Sequence, residues 1–95
     1  MSPRKRCITQ NVLREIPLRW TAFLWQCIDK LPIEQDYLQI FELSESNGFQ
    51  RIIHPKECPL YRKEYLFSPF FPVVAAKIYI INDDTHATML FANEY

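Results

Sequence analysis

Two apolar runs joined by a polar tip dominate the hydropathy pattern: DYLQIFEL over 36–43 and FQRIIH over 49–54, separated by SESNG. Asn47-Gly48, which holds the only glycine of the chain, predicts a tight hairpin, because that turn requires positive φ at its central residues. In the first run the alternating sets are Tyr37, Phe41 and Leu43 against Leu38 and Ile40. Both sets are apolar, which predicts a central strand needing cover on both faces. The second run alternates less cleanly, Phe49, Arg51 and Ile53 against Gln50, Ile52 and His54.

Upstream, Pro17 opens a helical pattern, PLRWTAFLWQCIDKL over 17–31, that stops before Pro32. A proline suits the first helical position, where a missing N–H leaves no bond unmade. At about 100° per residue, Trp20, Phe23, Leu24, Cys27, Ile28 and Leu31 share one face, with Arg19, Gln26 and Lys30 opposite. Leu18 and Trp25 widen the apolar arc beyond what a helix lying on one sheet buries. They either tuck under the N-terminal segment or form an exposed patch for a partner. Before the helix, residues 7–10 suit a short strand, and Asn11 suits the cap of a helical turn from Val12 to Ile16.

Downstream, Pro55 to Pro59 reads as a loop fixed by two prolines. Tyr61 to Phe67 sets Tyr61, Lys63, Tyr65 and Phe67 against Arg62, Glu64 and Leu66, and its charges suit an edge or an exposed face. Ser68 to Pro72 is a second proline-bracketed loop and holds the adjacent pair Phe70-Phe71. Val73 to Ile81 is the most apolar strand, Asn82 to Thr85 a turn, and Ala87 to Ala92 the last strand. Together these elements predict an α+β fold: one long helix packed on an antiparallel sheet of about four to six strands, plus a short N-terminal helical turn. A basic arm, residues 1–6, precedes a single domain, residues 7–95.

Composition narrows the function classes. The chain has 95 residues, 48% hydrophobic and 15% aromatic, enough for a core without metal or disulfide help. Eleven basic residues balance eleven acidic ones, unlike a dedicated nucleic-acid binder or an acidic DNA mimic. The three cysteines, Cys7, Cys27 and Cys58, are odd in number and widely spaced, so free thiols in a reducing cytoplasm are expected. No apolar run of about 18 residues predicts a membrane span.

Candidate chemistry is sparse. His54 and Cys58 lie four apart, but a zinc site needs about four ligands, and only His86 with Asp83-Asp84 offers more. Asp83-Asp84 beside Glu94 could hold a divalent cation, but such a pair suits turn chemistry better. No motif supports Cys58 as a nucleophile with a His54 base, and a single glycine leaves no phosphate-cradling loop. No metal, cofactor or catalytic residue is expected. The remaining feature is aromatic. Trp25, Phe70 and Phe71, with Leu18, suit a protein contact. Tyr61-Arg62-Lys63, with Arg4, Lys5 and Arg6 of the arm, suits weak, salt-sensitive stacking on nucleic acid.

Four blocks, EIPLRWTAFLWQCID, DYLQIFEL, RIIHPKECPLYRKEY and KIYIINDDTHATMLFANEY, occur in an order that resembles a small Gram-positive family. That family is catalogued as domain of unknown function 960 and described as a staphylococcal protein of unknown function. The resemblance covers roughly residues 7–95, and TMLFANEY is similar to the family's closing TMLLAEEY. The SPRKR start and the Ser68–Pro72 loop depart from it. The resemblance brings no catalytic motif. It implies a setting on plasmids, phages or chromosome cassettes, where some small proteins inhibit or recruit host nucleic-acid enzymes. The expected function is therefore a non-enzymatic protein-interaction module that modulates a host or element-encoded nucleic-acid-processing protein. A homodimer through the Leu18 and Trp25 face is a second expected assembly. The alternative function is a weak nucleic-acid-binding accessory protein.

Overall fold

A computed structural model of the chain describes residues 5–30, 37–56, 61–68, 72–83 and 85–95, with Lys56 and Tyr61 described at the backbone only. In chain order the elements are β1 (Lys5–Ile8), α1 (Gln10–Glu15), α2 (Leu18–Asp29), β2 (Leu38–Ser46), β3 (Phe49–Lys56), β4 (Tyr61–Phe67), β5 (Ala76–Asn82) and β6 (His86–Phe91). A 3-10 turn, Ala92–Glu94, follows. The strands form one sheet in the order β1-β6-β5-β2-β3-β4.

The hairpin between β2 and β3 is built as its turn residues dictate. Asn47 and Gly48 take φ values of 52° and 85°, and Ser46 pairs with Phe49 directly behind them. The register runs from there to Glu42 opposite Ile53. Beyond that point β3 continues only against β4, with Pro55 opposite Arg62 and Lys56 opposite Tyr61. A proline cannot donate to a ladder. Here it sits where pairing with β2 has already ended, so β3 extends through residues that read from sequence as a loop.

The expected architecture is corrected in two respects. The sheet is mixed, not antiparallel: β1 runs parallel to β6, with Arg6 opposite Ala87 and Ile8 opposite Met89. The cause is topological. The chain leaves β1, crosses the sheet through α1 and α2, and enters β2, and a crossover of that kind joins strands of like direction. The second correction concerns the helix. Among the described residues there is no long helix on the sheet but two short ones, of 6 and 12 residues. Pro17 stays extended (φ −54°, ψ 144°) as the cap of α2, and Lys30 closes its other end. Thr9, not Asn11, caps α1 by accepting from Val12 N–H.

Both helices contribute to one core. Val12, Ile16, Trp20, Leu24, Cys27 and Ile28 pack on Phe41, Leu43, Ile52, Ile78, Ile80 and Met89. The sheet also curls. Six strands at about 4.8 Å spacing span roughly 24 Å when flat, twice a helix's width of about 10–12 Å. Yet α2 touches both edges. Arg6 of β1 lies 4.8 Å over the Trp25 ring, and Phe23 meets Tyr65 and Phe67 of β4 edge-on at 4.9 and 4.8 Å. The concave face thus wraps α2, and the other face is convex.

Candidate interaction surface

The concave face is closed and partly polar. His54 is fully buried in β3, stacked 4.2 Å from Phe41, with its Nε2 2.7 Å from Gln39 Oε1. This pair bridges the fork where β2 and β3 part. Gln50, also buried, acts as a clamp: its Nε2 donates to the carbonyls of Ser44, Arg51 and Val74. Its Oε1 accepts from Val74 N–H at 2.8 Å. One side chain thereby fixes the approach to β5 against the hairpin. Cys27 is buried beside Tyr65. Burial pushes its thiol pKa up, against a Tyr65 hydrogen bond and the charges of Lys30 and Lys63, which lower it.

The convex face is different. Among the described residues no helix lies on it. Its central strands put Ile40 opposite Tyr79 and Tyr79 opposite Leu90, and the next row puts Leu38 opposite Ile81 and Ile81 opposite Thr88. Leu38, Ile40, Tyr79, Ile81 and Thr88 are half-buried. Leu90 is buried, and the ring of Tyr95 packs on Tyr79 beside it. Nearer the hairpin tip and the β4 edge, Leu66, 59% exposed, and Phe49, 42% exposed, form a separate apolar patch on the same face. Paired charges run between the two patches: Glu42 stands opposite Lys77, and Arg51 donates to Glu64 at 2.8 Å. The face carries two apolar patches on either side of balanced charges, the composition of a protein contact.

The residues singled out from sequence scatter. Leu18 is 75% exposed, whereas Trp25 is only 9% exposed. Of the two arrangements open to them, Trp25 takes the first and tucks under Arg6, which also pairs with Asp29. Phe70, Phe71, Arg4, Cys58 and Asp84 lie outside the described residues, as does the Tyr61 side chain. Lys5 and Arg6 belong to β1, and Arg62 and Lys63 to β4. These are the two outer strands of the sheet, so the basic residues do not gather into one patch.

The carboxylates weighed as a cation site are likewise apart and occupied. Asp83 accepts from the backbone N–H groups of His86 at 2.6 Å and Thr85 at 2.8 Å. Those bonds, led by His86, hold its carboxyl below the usual carboxylate range. Glu94 accepts from Phe91 N–H, Thr9 Oγ1 and Asn11 Nδ2, and the Phe91 bond leads in lowering its pKa. The two acids sit beyond opposite ends of β6, a strand of 6 residues or roughly 20 Å. Among the described residues no group of three or more His, Cys, Asp or Glu side chains is placed to hold a metal ion. Among them, too, no helix is long and apolar enough to cross a membrane.

The convex face was the less visible surface in the sequence, although a signal existed. Leu38 and Ile40 form the second apolar set of β2, and Tyr79 and Ile81 the matching set of β5. Gln39, Gln50 and His54 gave no such signal, since isolated polar residues in a strand ordinarily mark the wet face.

A mixed curled sheet gripping a short helix, with one face left apolar, is the structural class. Within it, the model of the family described as "Staphylococcal protein of unknown function (DUF960)" matches residues 5–94, and the chain belongs to that family. The crystal structure of a protein of unknown function from Enterococcus faecalis has the same fold, at a TM-score of 0.79. The two are 22% identical, and the match covers 100% of this chain and 93% of that one. No curated protein matches the chain.

Proposed function

We propose that the protein is a non-enzymatic interaction module that docks a partner protein on the convex face of its sheet. One observation carries the reading: Leu38, Ile40, Tyr79 and Ile81 form a contiguous apolar patch with no helix over it among the described residues, and Leu66 with Phe49 adds a second patch on the same face. Contiguous apolar surface of this kind is the usual mark of a protein contact. The mobile-element setting implied by the family resemblance makes a nucleic-acid-processing protein the first partner class to test. The separation of the basic residues onto opposite outer strands favours protein over nucleic acid.

The test compares the tagged parent with Ile40→Gln and Leu66→Gln in affinity capture from the host. Neutral polar replacements leave net charge unchanged, and Leu66 is exposed enough for its variant to fold. Both variants are expected to keep the parent's circular dichroism and to lose one partner, by at least tenfold in recovered amount. Equal recovery with folded variants rules the convex face out.

A further inference from the structure

The larger patch of the convex face holds an aromatic corner. The ring of Tyr79, half-buried in β5, lies 5.7 Å from that of Tyr95 at an interplanar angle of 73°. Tyr95 is 68% exposed. The 3-10 turn before it is tied to α1 and to the end of β6. Glu94 accepts from Phe91 N–H at 2.8 Å, Thr9 Oγ1 at 2.9 Å and Asn11 Nδ2 at 3.1 Å. Tyr95 N–H donates to the Ala92 carbonyl at 3.2 Å. A ring presented by so fixed a turn loses little conformational freedom on binding. Among the described residues neither phenol hydroxyl has a hydrogen-bond partner.

Area, backbone and shape together decide the occupant. Across β2, β5 and β6 the patch covers two strand spacings, about 10 Å. Along the strands it covers one side-chain repeat, Leu38 to Ile40 and Tyr79 to Ile81, about 7 Å. With side-chain widths added, that is on the order of 200–300 Å², well below the roughly 800 Å² per partner of a stable protein pair. The patch therefore suits a short segment and not a second copy of the chain. Strand addition is closed to that segment, because β5 is already paired with β2 on one side and β6 on the other. A helix needs a groove to lie in, and this face is convex. Recognition is left to two aromatic faces and two hydroxyl donors. A polyproline II segment answers both, since its proline rings pack on aromatic faces and its carbonyls have no internal hydrogen bonds.

We infer that the Tyr79–Tyr95 corner binds a proline-rich segment of the partner protein in the polyproline II conformation, with one proline ring packed between the two phenol rings. The inference rests on the convex face being the docking surface and names the chemistry that face reads. Five residues of such a segment span about 15 Å, enough to cross from Tyr95 over Tyr79 to Ile40. The phenol hydroxyls donate to carbonyls of the segment that otherwise bond only water. Glu94 acts as a positioning residue, holding the turn from which Tyr95 projects.

The test uses fluorescein-labelled synthetic decapeptides with the full chain, read by fluorescence anisotropy and by amide shifts in 15N spectra. One peptide is proline-rich with interspersed leucines, and the other carries alanine at every proline position. The proline peptide is expected to bind, with shifts centred on Ile40, Tyr79, Ile81 and Tyr95. The alanine peptide is expected to bind at least tenfold more weakly. Tyr95→Ala, at an exposed position where the variant folds, is expected to weaken the proline peptide by at least tenfold. Tyr95→Phe keeps the ring and is expected to weaken it by about threefold, the effect of one lost hydrogen bond. Leu18→Gln, away from the face, is expected to leave it unchanged. No binding at millimolar proline peptide, equal binding of the alanine peptide, or unchanged affinity in Tyr95→Ala overturns the inference. If the proline peptide fails while Ile40→Gln still loses the host partner, the docking face stands and this inference alone falls.

Discussion

Phe41→Ala is expected to destabilise the protein by about 3–5 kcal/mol, the range for emptying an aromatic site in a packed core. Phe41 is fully buried in β2, near the middle of the sheet, opposite Ile78 of β5 and stacked on the His54 ring. Its loss opens a cavity under α2 and takes away the apolar surface on which a buried imidazole rests. Small domains have only about 5–15 kcal/mol in total, so the variant is expected to lie close to unfolding at room temperature. Phe41→Leu keeps most of the volume and is expected to cost far less. Denaturant titration checks both, with an unchanged slope confirming that midpoint shifts report stability. A loss under about 1 kcal/mol in Phe41→Ala contradicts the central role given to this ring.

Gln50→Ala is expected to cost about 2–4 kcal/mol, because each lost hydrogen bond is worth roughly 0.5–1.5 and stranded buried groups cost more. The groups stranded are the N–H and C=O of Val74, whereas Ser44 and Arg51 still pair with each other in the β2–β3 ladder. Gln50→Glu provides the sharper comparison. A carboxylate cannot donate to three carbonyls, and burial raises its folded pKa above the unfolded value. The penalty relative to the parent is therefore fully present at neutral pH and shrinks as pH falls toward the unfolded pKa, where the folded carboxyl already holds its proton. Melting temperatures from pH 7 to pH 4 are expected to converge for the two proteins. A gap that widens on acidification contradicts the clamp.

What the chain reveals locally is legible, and what depends on distant pairing is not. Asn47-Gly48 announces its turn because few residue pairs accept positive φ twice in succession. The charges of Tyr61–Phe67 suit an edge or an exposed face, and the strand is an outer one. By contrast, β1 meets β6 across about eighty residues of chain, and nothing in KRCI indicates that partner or its parallel direction. The expected antiparallel sheet failed for that reason. Trp25 misled in a related way. On a helical wheel it falls outside the face turned to the sheet, and it becomes core only because the curled sheet brings Arg6 over it. Gln39, Gln50 and His54 are polar residues made internal by partners far away in sequence, which no local pattern encodes.

The convex face was inferable in outline from the two-sided apolarity of β2, but its extent depended on strand order. Only when β5 falls next to β2 do Tyr79 and Ile81 line up with Ile40 and Leu38. Leu66 shares their face because β3 and β4 continue the sheet on the other side, but it lies beyond the Glu42 and Lys77 row. A surface assembled from four strands is a property of the fold, and the sequence pattern supplies only its separate stripes.

Covalent side-chain footprinting of the protein, alone and with its captured partner, tests the account most directly. Leu38, Ile40, Leu66 and Tyr79 are expected to be labelled in the free protein and protected in the complex, while Leu18, exposed at the start of α2, stays labelled in both. Protection of Leu18 with unchanged labelling of Ile40 and Tyr79 would contradict the assignment of the convex face as the docking surface.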